Sequence, residues 1–134
     1  MPPVFTWPVR VYYEDTDAGG IVFYANYLKF FERARTEWLR AADIGQQALM
    51  QEHGAIFVVK STSVDYHAPA RLDDVLNLTL SIEKLGRASV LFVQQAWRGD
   101  LMLASATVKV GCVDALSLRP RAVPDATAAK MLAA

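Results

Sequence analysis

Residues 25 to 42 place the tightest constraint on what this chain can fold into. Wound at about 3.6 residues per turn, they gather Tyr27, Leu28, Phe30, Phe31, Ala34, Trp38, Leu39, Ala41 and Ala42 on one broad side. Lys29, Glu32, Arg33, Thr36, Glu37 and Arg40 fall opposite, and Arg35 is the one charge that intrudes on the apolar face. So wide an apolar face needs an extended apolar surface against it. The rest of the chain supplies one, because from Ala55 onward the period changes to two.

Phe57 and Val59 interleave with Ile56 and Val58, and the run continues through Thr62, Val64 and Tyr66 to a break at Ala68-Pro69. Leu76, Leu78, Leu80 and Ile82 alternate with Asn77, Thr79, Ser81 and Glu83, as in a half-buried strand. A turn at Leu85-Gly86-Arg87 leads to a strand from Ala88 to Arg98. A two-residue hairpin loop, Gly99-Asp100, leads to another from Leu101 to about Val113. Upstream, Val9, Val11 and Tyr13 alternate with Arg10 and Tyr12 as a first strand. A short helix is expected from Gln46 to Glu52, ended by His53-Gly54, and a terminal one from Asp125 to Leu132 with Asp125 as its N-cap. The order is one strand, one long helix, then four strands, which suits an antiparallel sheet curled around a helix in one domain, 1–134. One helix covers one face of such a sheet, so a second subunit is expected at an edge or on the other face, with a dimer as the minimum.

Lys plus Arg equals Asp plus Glu at 14 each, so no global field draws in nucleic acid or an acidic membrane surface. No apolar run reaches the ~20 residues of a membrane span. The lone Cys112 has no intrachain partner, and MPPVFTWPVR lacks a secretory pattern; a reducing cytoplasm is the expected compartment.

Between the first strand and the long helix lies RVYYEDTDAGGIVFYANY, with Glu14, Asp15 and Asp17 ahead of Gly19-Gly20. A calcium loop starting at Asp15 would put Gly20 correctly at position six but Asn26 at position twelve, where a bidentate Glu is required, so no metal is expected. Asp side chains and glycines also build turns. The helix start that follows adds something a turn does not need. Unpaired N–H groups near Tyr24, Ala25 and Asn26 form a positive pole, and a carboxylate beside donors for a carbonyl oxygen is the arrangement acyl chemistry uses.

The stretch from Asp15 to Tyr27, DTDAGGIVFYANY, running into Phe30-Phe31-Glu32-Arg33-Ala34-Arg35-Thr36-Glu37, closely resembles the 4-hydroxybenzoyl-CoA thioesterase family. Within it the chain looks nearest the Tol-Pal-associated acyl-CoA thioesterase branch. Ala68-Pro69-Ala70, Asp73-Asp74 and Cys112-Val113-Asp114 extend the likeness over most of the chain. The resemblance implies an α+β hotdog fold, a five-stranded antiparallel sheet wrapped around one long central helix. It further implies two subunits paired edge to edge, with active sites at their interface, as a homodimer or a homotetramer built as a dimer of dimers.

By the same resemblance Asp17 matches the catalytic carboxylate, as nucleophile or general base. Asp15 would be supporting, and Tyr24 matches the position whose backbone N–H polarises the thioester carbonyl. Many members of the Tol-Pal-associated branch have His at that position, whereas the hydroxybenzoyl enzymes have an aromatic residue. By their periodicity Trp38, Phe30 and Phe31 are expected in the core, with Phe31 or Tyr27 also bordering an acyl pocket. Arg87 and Arg119 match a CoA-contacting turn and tail, and Arg121 lies beside them; exposed Arg forks onto phosphate oxygens. The implied activity is hydrolysis of an acyl-CoA, short-chain aliphatic or aromatic such as hydroxybenzoyl, to free acid and CoA, with no cofactor. Two other readings are a non-catalytic acyl-CoA or acyl-carrier-protein binder linked to envelope assembly, and a hotdog hydratase. His53 and His67, which a hydratase would need near the acidic loop, are expected to be structural or surface residues. Cys112 is expected in the core.

Overall fold

The computed structural model describes residues 4–134. Strands β1 (Phe5–Arg10), β2 (Ala55–Tyr66), β3 (Val75–Leu85), β4 (Ser89–Arg98) and β5 (Leu101–Asp114) form one sheet in the order β1-β3-β4-β5-β2, every neighbouring pair antiparallel. Helix α1 (Tyr27–Ala41) lies across one face. Its Phe30, Phe31 and Ala34 are fully buried against Leu76, Leu78 and Leu80 of β3 and Phe92 and Val108 of β4 and β5. At ~1.5–3 kcal/mol for each large apolar side chain removed from water, this stripe is the main force holding helix to sheet. The hotdog arrangement implied by the resemblance is present: a sheet curled on one long helix.

Helix α2 (Gln46–His53) ends at Gly54, whose φ of 62° suits a residue without Cβ. With α3 (Asp125–Ala133) it closes one end of the molecule, where Leu49, Ala55, Cys112 and Val123 make a small second core. The β4–β5 connection is the two-residue Gly99-Asp100 loop, with φ of 61° at Gly99.

Three expectations need correction. The first strand is Phe5–Arg10, and Tyr13 sits in a 3-10 turn, Tyr13–Asp15. Pro8 concealed this, but β1 is an edge strand, where a missing N–H is tolerated. Asp125 is the first helical residue of α3 rather than its N-cap; Pro124 holds that place, and its carbonyl accepts the Ala128 N–H at 2.9 Å. Leu28 and Ala41, assigned to the apolar face, are exposed at its margins.

Arg35 is the intrusion that the helical period points to, and the sheet meets it with Gln94. Gln94 is wholly buried on β4; its Nε2 donates to the Phe31 carbonyl at 3.0 Å, and its Oε1 accepts Arg35 Nη1 at 2.9 Å.

Candidate active site

The acids of the loop divide at once by burial. Asp15 is 4 % exposed. The Tyr12 N–H donates to its Oδ2 and Asn26 Nδ2 to its Oδ1, both at 2.8 Å, and its carbonyl accepts the Phe23 N–H at 3.1 Å. Asp15 therefore fastens the end of the first strand to the start of the helix. Asp17 is exposed, and the one hydrogen bond its carboxylate makes among the described residues is local: Oδ1 accepts the Gly19 N–H at 2.8 Å. Around it the backbone folds into a small hairpin, with a Thr16–Val22 bridge, Asp17 N–H donating to the Ile21 carbonyl at 2.9 Å, and Gly20 at φ 80°. A Cβ at residue 19 would stand 3.2 Å from the Asp17 carboxylate, so Gly19 lets the backbone come this close.

A 3-10 turn, Tyr24–Asn26, runs directly into α1. The Asn26 N–H donates to the Phe23 carbonyl at 2.8 Å, whereas the N–H groups of Tyr24 and Ala25 find no acceptor among the described residues. The Tyr24 carbonyl, by contrast, is occupied: Tyr66 Oη donates to it at 2.8 Å. Tyr66 was not anticipated, although an aromatic residue ending a strand just before Ala68-Pro69 is the signal that could have found it. Its ring meets those of Tyr24 and Tyr27 at 6.2 and 5.5 Å, both edge-on. Burial raises the Tyr66 phenol above its usual range, and the neighbouring Tyr24 adds to this. Tyr24 is itself well exposed, while Tyr27 is buried beneath it as part of the core. Desolvation raises the Tyr27 phenol, against a smaller opposing pull from the Ala70 backbone.

The hairpin is supported from below by residues 69–74. Val22 N–H donates to the Ala70 carbonyl at 2.9 Å, and Ile21 bridges Arg71. Asp74 organises that segment: its Oδ2 accepts the Arg71 N–H and Arg98 Nη1, both at 2.9 Å. Partial burial pushes the Asp74 carboxyl up, but these two donors outweigh it, and the folded pKa lies below the ordinary value. A depressed carboxylate stabilises the fold above its unfolded pKa of ~3.9 and loses that contribution as pH falls through the folded value. Thermal melting followed from pH 7 downward should therefore show wild type above Asp74→Asn at neutral pH, with the two curves converging below about pH 4. Parallel curves down to the most acidic point would remove Asp74 from this role.

The cations stand elsewhere. Arg87 and Arg119 are exposed, Arg87 just after β3 and Arg119 after β5. They share one end of the sheet, where the Arg87 carbonyl accepts the Val123 N–H at 2.8 Å and the Arg119 carbonyl the Asp114 N–H at 2.9 Å. The acidic hairpin adjoins the segment leading into β3, at the opposite end; by strand rise the two ends lie roughly 30 Å apart. A single chain thus brings Asp17, Tyr24 and Tyr66 to one region and does not bring Arg87 or Arg119 to it. Arg121 is less free, since its guanidinium donates to the His53 carbonyl. His67 is exposed, 3.1 Å from Ser105 Oγ, and Cys112 is buried, which raises its thiol pKa despite the nearby Arg121.

Comparison with known proteins agrees with this fold. The Thioesterase superfamily model matches residues 19–105. The chain is 52% identical over 120 residues to an acyl-CoA thioesterase, YbgC, of Haemophilus influenzae, spanning 90% of this chain and 88% of that one. It is 50% identical over 128 residues to the acyl-CoA thioester hydrolase YbgC of Escherichia coli, with 95% of each covered. Among solved structures, a probable thioesterase from Bartonella henselae superposes with a TM-score of 0.85 at 31% identity, over 91% of this chain and 100% of that one. Matched by the family model over residues 19–105 and half identical to the two YbgC proteins over nearly its whole length, this chain, with its acid hairpin beside open helix-start donors, belongs to the thioesterase superfamily.

Proposed function

We propose that this protein is an acyl-CoA thioesterase whose reaction is carried by Asp17 and the start of α1. The observation that supports it most is the pair of uncommitted N–H groups at Tyr24 and Ala25, next to an acid hairpin, in a chain half identical to acyl-CoA thioesterases. These N–H groups receive the thioester oxygen as it gains negative charge. Asp17 either attacks the carbonyl carbon, forming an acyl-aspartyl anhydride that water then cleaves, or removes a proton from the water that attacks. In both routes the C–S bond breaks, the CoA sulfur leaves as thiolate and takes up a proton, and the acyl group departs as a free acid. Backbone donors do the polarising, so Tyr in place of the branch's His leaves this step intact. Hydrolysis is favoured over the non-catalytic binder by the likeness to named hydrolases. A thiol-release assay against a panel of acyl-CoAs tests it: saturable binding with no CoA liberated from any member would establish the binder instead.

The working unit of this proposal is at least a dimer, with CoA held across it. Edge strand β2 is long and largely exposed, with Val59 and Tyr66 open to solvent, whereas the other edge, β1, is blunted by Pro8. Pairing through β2 encloses the exposed Asp17 and carries one subunit's Arg87 and Arg119 toward the other's acid hairpin. Arg87→Ala should raise KM for an acyl-CoA by about tenfold, the scale of one charge-assisted hydrogen bond, and leave KM for the matching pantetheine thioester unchanged. Equal effects on both thioesters would take Arg87 out of nucleotide binding. A gel-filtration mass of one chain would sink the shared site. Among the described residues no helix is long and apolar enough to cross a membrane.

A further inference from the structure

Two cavities lie end to end along the side of α1 that faces β2 and β5. The first, about 260 Å³, is walled by Leu28, Phe31, Val59 and Val108. The second, about 170 Å³, continues past Leu39 and Phe57 toward Met131, with Glu32, Thr36 and Gln46 as polar members of its wall. Arg35 and Val59 line both. Helical spacing sets Leu28, Arg35 and Leu39 along one stripe of α1, and Tyr24 stands in the 3-10 turn just ahead of it, so the groove begins about one turn beyond the open N–H groups and runs away from them along the helix.

A cation in the wall of a largely apolar groove needs an explanation, because a half-buried guanidinium is costly without a paired counter-charge. Desolvation disfavours the Arg35 charge, with Glu32 partly offsetting this. Yet Arg35 forms no ion pair among the described residues. The Glu32 carboxylate accepts the Thr36 hydroxyl instead, at 3.0 Å. The one protein acceptor found by Arg35 is the neutral Gln94 Oε1, which fixes Nη1 and leaves the rest of the fork available to the groove.

Resting on the thioesterase reading, we propose that this groove takes the acyl chain and that Arg35 selects acyl groups ending in a carboxylate. The spacing fits such a chain. From Tyr24 to Arg35 the chain rises about 18 Å, through the 3-10 turn and then α1, and Arg side chains lean back toward the helix start, leaving roughly 10–12 Å between the carbonyl site and the guanidinium. A dicarboxylic acyl group of about eight carbons spans that gap, with its methylenes on Leu28, Phe31, Val59 and Val108 and its far carboxylate on Arg35.

The test compares suberoyl-CoA with octanoyl-CoA, which differ in the terminal carboxylate and not in chain length. Wild type should show a kcat/KM for suberoyl-CoA at least equal to that for octanoyl-CoA. In Arg35→Met the suberoyl-to-octanoyl ratio of kcat/KM should fall at least tenfold, whatever the loss of the Gln94 hydrogen bond does to the octanoyl rate itself. A merely structural Arg35 would lower both rates together and leave the ratio unmoved, and that outcome overturns the proposal. Inhibition of the unmodified protein by free suberate and octanoate gives an answer that needs no variant: suberate should inhibit the more strongly, and the reverse order overturns the proposal. If wild type releases CoA from neither thioester, the underlying thioesterase reading falls with it, whereas turnover of octanoyl-CoA with no response to Arg35 removes this inference alone.

Discussion

Replacing Asp17 by Asn is expected to reduce kcat for acyl-CoA hydrolysis by ~10² or more while leaving thermal stability nearly unchanged. The two halves of this expectation have separate physical origins. The structural duty of Asp17 in the chain is to accept the Gly19 N–H at 2.8 Å, which an Asn oxygen does equally well in the same turn. The residue is exposed, so no buried donor is orphaned and no cavity is opened. The amide is lost only to chemistry: it is too weak a base to take a proton from water and too poor a nucleophile to form an anhydride. Initial rates of thiol release alongside melting curves of both proteins measure each half. A variant with wild-type rate and wild-type melting would show that the carboxylate takes no part, and the site would then have to be sought away from the hairpin.

The architecture was legible because two periods dominate the sequence. The broad stripe from Tyr27 to Leu39 and the alternation of Leu76 to Ile82 specify helix and strand by burial alone, and burial is what orders them in the fold. The beginning of β1 was not legible, since Thr6-Trp7-Pro8 breaks the alternation and only an edge position makes Pro8 acceptable. Within the candidate site, the local features could be read: the hairpin, its glycines and the helix start are contiguous. What escaped were partners joined through space. Tyr66 reaches the Tyr24 carbonyl from another strand, Asp74 and Arg98 meet beneath the hairpin, and Gln94 crosses from sheet to helix to meet Arg35. Each is an ordinary residue in its own segment, and no local pattern records a hydrogen bond between distant parts of the chain. The separation of Arg87 and Arg119 from Asp17 was hidden for the same reason, since only the strand order reveals which turns share an end.

Asp15 should give the opposite result to Asp17, and the contrast between two acids in one motif is the sharper check on the assignment. Both Asp15 oxygens are engaged, one by the Tyr12 N–H and one by Asn26 Nδ2, in a residue 4 % exposed. Asn at this position offers one oxygen for two donors, and its NH₂ group must then face either an N–H or another NH₂. Leaving a buried donor unsatisfied costs about 1–3 kcal/mol, and Ala, which satisfies neither, should cost about twice that. For a chain of this size the Asn variant should melt several degrees lower, at roughly 2–8 °C per kcal/mol, with Ala lower again. The catalytic consequence is indirect. Asn26 loses its anchor, so the helix-start N–H groups that receive the carbonyl oxygen are held less firmly, and kcat should fall with KM little changed in whatever fraction remains folded. A protein in which Asp15→Asn abolishes turnover without lowering the melting temperature, while Asp17→Asn lowers the melting temperature without slowing turnover, would exchange the roles of the two acids and place the reacting carboxylate in the buried position.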